Sequence, residues 1–201
     1  MLDELKGKDI ILASRSPRRK HLLSALGITY RIAGHDISED YPSGLRNEEI
    51  ALFLAARKAD AVIMKTGGEN PDRIVIAADT IVCLGDMILN KPSDRSEAVD
   101  MLKNLSGRAH DVITAVCIAG DKRKKSFYSE TRVYFAKLQD AEIEYYIDNF
   151  KPYDKAGAYG IQEWIGYTGI ERIEGSYFNV MGLPVQRLYR ELINFVKDDI
   201  I

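Results

Sequence analysis

Cysteine, histidine and tryptophan are scarce in this chain, at two, three and one residues of 201. Cys83 and Cys117 each lie inside an apolar run, where free cysteine behaves as a small buried hydrophobe, and two isolated cysteines make no metal-ligand spacing. His21, His35 and His110 share no zinc-type interval either. No apolar stretch is long enough to cross a bilayer, and Asp3, Glu4, Lys6 and Lys8 precede only a very short apolar run, so neither a membrane span nor a signal peptide is expected. The formal net charge of −2 excludes the broad basic face of a nucleic-acid binder. Any polyanion must therefore be met by a local cluster, and the expected partner is a small molecule in a reduced, cytoplasmic setting. With 46% hydrophobic residues, no repeat, no low-complexity tract and no Pro/Ser-rich linker, the chain reads as one domain over 1–201, with two lobes.

What is present is an alternation of strand-like and helix-like segments. Ile10 to Ala13 predicts a buried strand, Ser16 an N-cap, Pro17 the first helical residue, and Gly27 the end of a helix through Leu26. A short strand over Ile28 to Ala33 leads into a polar loop, Gly34 to Arg46, carrying Asp36, Glu39 and Asp40. A helix from Asn47 to about Lys65 follows, stopped by Gly67-Gly68. Ile74 to Leu84 is β-rich, interrupted at Asp79-Thr80, and Gly85-Asp86 turns it into Met87 to Leu89. Asp94 and Glu97 form a capping box for a helix through Leu105. Strands over Ala109 to Ala119 and Ser126 to Leu138 flank the basic turn Gly120 to Lys125, read as a solvated hairpin tip. Asp140 caps a helix to about Phe150, Lys151 to Gly169 is an aperiodic loop of the kind that carries sites, and Gly182-Leu183-Pro184 launches an amphipathic helix before a fraying Asp198-Asp199 end. The antiparallel hairpins predict an α/β (strictly α+β) fold with a mixed sheet, flanking helices and a cleft between two lobes as the ligand site.

Three features carry chemistry. The passage from strand to helix at Ser14-Arg15-Ser16-Pro17-Arg18-Arg19 combines a helix N-terminus with hydroxyls and guanidinium groups shaped for phosphate oxygens; read alone, it is more often a capped surface helix with solvated arginines. Asp79 follows an apolar run that should be buried. A buried carboxylate needs a partner, so it is a metal ligand, a general base, or a structural aspartate accepting backbone N–H groups. Lys58, on an otherwise apolar helix, and Lys91, before Pro92, supply the positive charge a triphosphate needs. His110 reads as a hydrogen-bonded structural residue.

Together these segments resemble the Maf family of nucleotide pyrophosphatases, also called septum-formation inhibitor proteins, over nearly the whole length. The resemblance rests on Leu12-Ala13-Ser14-Arg15-Ser16-Pro17-Arg18-Arg19, Ala56-Arg57-Lys58-Ala59, Ala77-Ala78-Asp79-Thr80 and Leu89-Asn90-Lys91-Pro92. It continues through Leu105-Ser106-Gly107-Arg108-Ala109-His110, Asp154-Lys155-Ala156-Gly157-Ala158-Tyr159-Gly160-Ile161-Gln162, and the run from Glu174 to Pro184. It implies an elongated, mixed α/β fold resembling inosine triphosphate pyrophosphatases, and hydrolysis of a nucleoside triphosphate between its α- and β-phosphates with Mg²⁺ or Mn²⁺. By position, Asp79 is the implied proton acceptor and Arg19, Thr80 and Gln162 the implied base selectors. Glu39 falls where the family has an acidic residue after its second strand and is the implied second metal ligand.

Ser14, Ser16, Arg18, Lys58, Lys91 and Lys155 are then the expected phosphate ligands, and a homodimer is expected from family behaviour. The chain departs from the family at Ser38, where Asp is frequent, and at Trp164-Ile165 and Met181, which read as packing changes. Arg19, Thr80 and Gln162 match the branch acting on dTTP and UTP. A glutamine amide can accept from N3–H of uracil or thymine and donate to O4, whereas cytosine inverts both groups. The rival expectations are a 7-methyl-GTP or other non-canonical nucleotide pyrophosphatase, and a nucleotide-binding regulator of cell division that needs no turnover.

Overall fold

A computed structural model of the chain describes residues 3–34 and 37–197. His35, Asp36, Asp198 and Asp199 lie outside the described residues. The elements in order are β1 (Asp9–Leu12), α1 (Pro17–Ala25), β2 (Arg31–Ile32), α2 (Asn47–Thr66), β3 (Arg73–Leu84), β4 (Met87–Leu89), α3 (Arg95–Leu105), β5 (Ala109–Ala119), β6 (Lys124–Phe135), α4 (Asp140–Phe150), α5 (Trp164–Gly169), β7 (Ile170–Glu174), α6 (Tyr177–Met181) and α7 (Val185–Lys197). Short 3₁₀ turns occupy Asp3–Leu5 and Ala156–Ala158. The strands run in the order β2-β1-β3-β5-β6-β7, with β4 also on β3. β1 is parallel to β2 and β3, whereas β3/β4 and β6/β7 are antiparallel, so the sheet is mixed as expected.

The chain divides into two compact units, one of Met1–Asp79, Thr114–Ser129 and Gly182–Ile201, the other of Thr80–Ile113 and Glu130–Met181. β3, β5 and β6 are each shared lengthwise, giving residues to both. The division along β3 falls between Asp79 and Thr80. β3 nevertheless runs unbroken through these two residues, correcting the expected interruption there. A paired carboxylate does not require the strand to yield, and Asp79 is paired by Lys58.

In the first unit the buried faces of β1, α2 and α7 supply residues such as Ile11, Leu12, Leu54, Val62, Leu188 and Leu192. β2 is shorter than expected and both its residues are exposed, as befits an edge strand with β1 as its neighbour. The basic turn is not simply solvated. Lys124 pairs with Asp60, Lys125 lies 2.7 Å from Glu191, and the Arg123 guanidinium sits 4.0 Å from the centre of the Phe195 ring. β6 accordingly starts at Lys124, earlier than the apolar pattern indicates.

In the second unit α3, α4 and α5 cover a core that includes Leu102, Val133, Phe135, Ile143, Ile147 and Ile165. Trp164 and Met181 also pack against it, so the unusual residues at 164, 165 and 181 are packing residues. The helix caps differ in detail from expectation. Asp94 Oδ1 accepts from the Glu97 N–H at 2.9 Å, but the Glu97 carboxylate reaches back to Ser93 instead of Asp94. Gln139, not Asp140, caps α4, its N–H donating to Glu142 Oε2 at 2.8 Å.

His110 is buried against Phe135 and Tyr159, with Nε2 2.8 Å from the Tyr159 hydroxyl. Burial pulls its pKa down from 6.5 to about 4. The unfolded chain therefore binds a proton that the folded chain refuses. The resulting stability is full above pH 6.5 and is lost progressively as pH falls toward 4. Urea unfolding at pH 7 and pH 5 is expected to differ by about 2 kcal/mol through this group, and the difference should shrink in His110→Gln; an unchanged difference would show that His110 is not its source.

Candidate active site

The first unit builds a charged cluster out of apolar elements. β1 delivers Ser14, which is buried, and Ala13 N–H keeps the β1–β3 ladder going to Ile76 O at 2.8 Å. Ser16 holds the N-cap position of α1, but its side chain makes no capping bond; its own N–H donates to Ser14 Oγ at 3.2 Å. Pro17 is the first helical residue as expected, its missing N–H costing nothing at that position. Two residues on, Arg19 Nε donates to Gly182 O at 2.8 Å, which ties α1 to the segment before α7.

Lys58 projects from the buried face of α2, among Leu54, Ala55, Ala59 and Val62, and is only 4% exposed. An ammonium in such surroundings must be paired. It is held by Asp79, 6% exposed on β3, through a short contact to Oδ1, and by Glu39 Oε1 at 3.2 Å. Glu39 reaches it from the loop before α2. Ser38 donates to the Asp40 carboxylate and accepts from the Asp40 N–H at 3.1 Å, while Arg57 binds Asp40 O at 2.8 Å. The serine at 38 thus folds the turn that presents Glu39. Arg18 and Arg19 belong to the same electrostatic neighbourhood. Burial lowers the Arg19 guanidinium below its ordinary value, Asp79 raises it, Arg18 lowers it and Glu39 raises it.

The second unit gathers the remaining candidates around one glycine. Gly157, at φ +69°, donates its N–H to Asn90 O at 3.1 Å, next to Lys91, and lies so close to Val82, two residues after Thr80, that a Cβ would stand 3.0 Å from Val82 Cγ1. Thr80 is half-buried and Lys91 exposed. Lys155 is buried and pairs with Asp154 at 2.7 Å and Glu163 at 3.0 Å. Gln162 is half-buried, and its Oε1 is buried with no hydrogen-bond partner among the described residues. Buried amide oxygens normally have partners, so this acceptor is available to a ligand.

Sequence reasoning missed Glu163, which accepts from the Tyr146 hydroxyl and faces Lys155. The only signal was its place beside Gln162. The Glu174–Pro184 run, by contrast, is mainly structural. Asn179 is fully buried and its Nδ2 donates to Val112 O at 2.9 Å and Thr131 Oγ1 at 3.0 Å.

Residues 9–195 match the family described as Maf-like protein. The chain belongs to the Maf-like family. A relative from Porphyromonas gingivalis strain W83, named dTTP/UTP pyrophosphatase, is 53% identical over 97% of this chain and 98% of its own length. A relative of the same name from Phocaeicola vulgatus is 53% identical over 96% and 98%. Among solved structures, the Staphylococcus aureus Ham1 protein aligns with 64% of this chain and 72% of its own at 18% identity, with a TM-score of 0.43.

Two substitutions test the local geometry of this Maf-like chain. Lys58→Met leaves a buried carboxylate without its ammonium and is expected to cost about 3–5 kcal/mol in denaturant unfolding, with much of that recovered in Lys58→Met/Asp79→Leu. An exposed, weakly coupled pair would give two small, additive effects instead. Gly157→Ala forces an alanine to positive φ against Val82 and should destabilise by about 1–3 kcal/mol; a neutral result would mean the turn relaxes freely.

Proposed function

We infer that this chain is a nucleoside triphosphate pyrophosphatase that hydrolyses dTTP and UTP to the monophosphate and pyrophosphate. The observation that carries the reading is the buried Lys58 ammonium between the Asp79 and Glu39 carboxylates. Close relatives bearing the name dTTP/UTP pyrophosphatase support the substrate class.

Asp79 is the assigned proton acceptor for a water that attacks the α-phosphorus as pyrophosphate departs. Lys58 sits close enough to orient that carboxylate and to bind phosphate oxygen when the substrate arrives. Ser14, Ser16, Arg18 and Lys91 are assigned to phosphate oxygens, where preorganised donors neutralise charge that builds on the leaving group. Two carboxylates on one ammonium are a donor set that fits Mg²⁺ or Mn²⁺ carried largely by substrate phosphates. Glu39 and Asp79 would hold it, and it would supply charge neutralisation on the triphosphate.

Arg19, Thr80 and Gln162 are assigned to the base. The partnerless Gln162 oxygen supports a base that presents N–H, as uracil and thymine do and cytosine does not. The cytoplasm, where nucleotide pools turn over, is the proposed setting, and a homodimer the proposed assembly.

Asp79→Asn is expected to lower dTTP turnover by about 10²–10⁴-fold while the folded chain persists, measured by pyrophosphate release. Turnover within about tenfold of the unsubstituted chain would remove Asp79 from the chemistry. In a nucleotide panel, release should favour dTTP and UTP over CTP and purines and fall on chelation. A preference for 7-methyl-GTP would contradict the assignment of Gln162, and binding without pyrophosphate release would favour a regulator.

A further inference from the structure

Around Gln162 the second unit contains a hydrogen-bonded network that the phosphate and base assignments leave unused. The Tyr146 hydroxyl, from the buried face of α4, donates to Glu163 Oε2 and accepts from the Gly160 N–H at 3.0 Å. The other Glu163 oxygen lies 3.0 Å from Lys155 Nζ, which also holds Asp154. The backbone closes the same loop, with the Glu163 N–H donating to Gly160 O at 2.9 Å. Gln162 is thus enclosed between two residues, Gly160 and Glu163, that are each bonded to one tyrosine hydroxyl.

Gly160 is the floor of this arrangement. A Cβ there would stand 2.9 Å from Glu163 Cδ, 3.0 Å from Glu163 Oε2 and 3.1 Å from Gln162 Nε2. The Glu163 carboxylate and the Gln162 amide nitrogen therefore rest against the same α-carbon, while Gln162 Oε1 is left buried with no partner among the described residues. Burial, and then the bond to Glu163, push the Tyr146 hydroxyl well above its usual range.

We propose that Tyr146, Glu163 and Lys155 form a positioning network that fixes the Gln162 amide, with its carbonyl oxygen presented to the N3–H of a uracil or thymine base. The proposal rests on the reading of Gln162 as a base selector. Lys155 then serves to neutralise Glu163 and Asp154, in place of the phosphate role expected from sequence. None of the three touches the base. They act through Gln162, because an amide free to rotate offers its NH₂ as readily as its oxygen and so tolerates cytosine. Holding one orientation makes the wrong base pair with the wrong group, and discrimination depends on such preorganisation more than on binding strength.

The test is the ratio of kcat/KM for UTP to that for CTP, measured in Tyr146→Phe, Glu163→Ala, Glu163→Gln and Gly160→Ala, with Gln162→Ala as the reference and thermal unfolding to confirm that each variant is folded. The ratio should fall by about tenfold or more in Tyr146→Phe, Glu163→Ala and Gly160→Ala, as misplacement of a recognition group does. Glu163→Gln, which can still accept from Tyr146, should retain more discrimination than Glu163→Ala. A purely structural role would lower kcat/KM for both nucleotides by the same factor and leave the ratio alone. If Gln162→Ala collapses the ratio while the folded network variants keep it, the network is not a positioning device, although the reading of Gln162 stands. If Gln162→Ala itself keeps the ratio, both fall together.

Discussion

A lysine ammonium on the apolar face of α2 is the constraint around which the first unit is organised. Lys58 cannot be left unpaired among Leu54, Ala55 and Val62, so a carboxylate must reach it from the neighbouring strand, and Asp79 does so. Asp79 in turn could not sit in an unbroken, buried β3 without that ammonium. Each charge makes the other tolerable, and replacing Lys58 alone leaves a buried carboxylate without its ammonium. A buried ion pair of this kind is weak evidence for stability by itself, because an apolar pair would pack as well. Its presence is better explained by chemistry that needs a carboxylate and a cation held together out of bulk water.

The supporting parts follow from that requirement. Arg57, one position before Lys58, anchors Asp40, and the Ser38 turn then brings Glu39 to the same ammonium. The serine at 38, a departure from the family pattern, has a structural role here. In the second unit, Gly157 does for the loops what Lys58 does for the charges. Its positive φ and missing side chain let the turn at 155–158 sit against Val82 and bond to Asn90, so that Thr80, Lys91 and Gln162 are carried on linked pieces of chain.

Much of this was legible in the sequence, for physical reasons that differ by element. α2 and α7 announce themselves through apolar residues at helical spacing, and the β3/β4 hairpin through Gly85-Asp86. Asp79 and Lys58 stand out because each is a charge in an apolar run, but that they pair with one another is visible only in the fold. β7 was hidden because Ile170-Glu171-Arg172-Ile173-Glu174 is half-charged, and it becomes a strand through its ladder to β6. Ser16 holds the N-cap position that its place before Pro17 indicates, but without a side-chain capping bond; its own N–H donates to Ser14 Oγ, a contact no sequence pattern announces. Tyr146 and Glu163 could not be paired from sequence, since one sits on a helix and the other in an aperiodic loop. No period connects them.

The most direct test of the account is a crystal structure with a non-hydrolysable α,β-methylene analogue of dTTP. The account predicts the α-phosphate beside Lys58 and Asp79, and the thymine N3–H donating to Gln162 Oε1. A thymine bound away from Gln162, or a triphosphate that leaves the Lys58–Asp79 pair untouched, would contradict it.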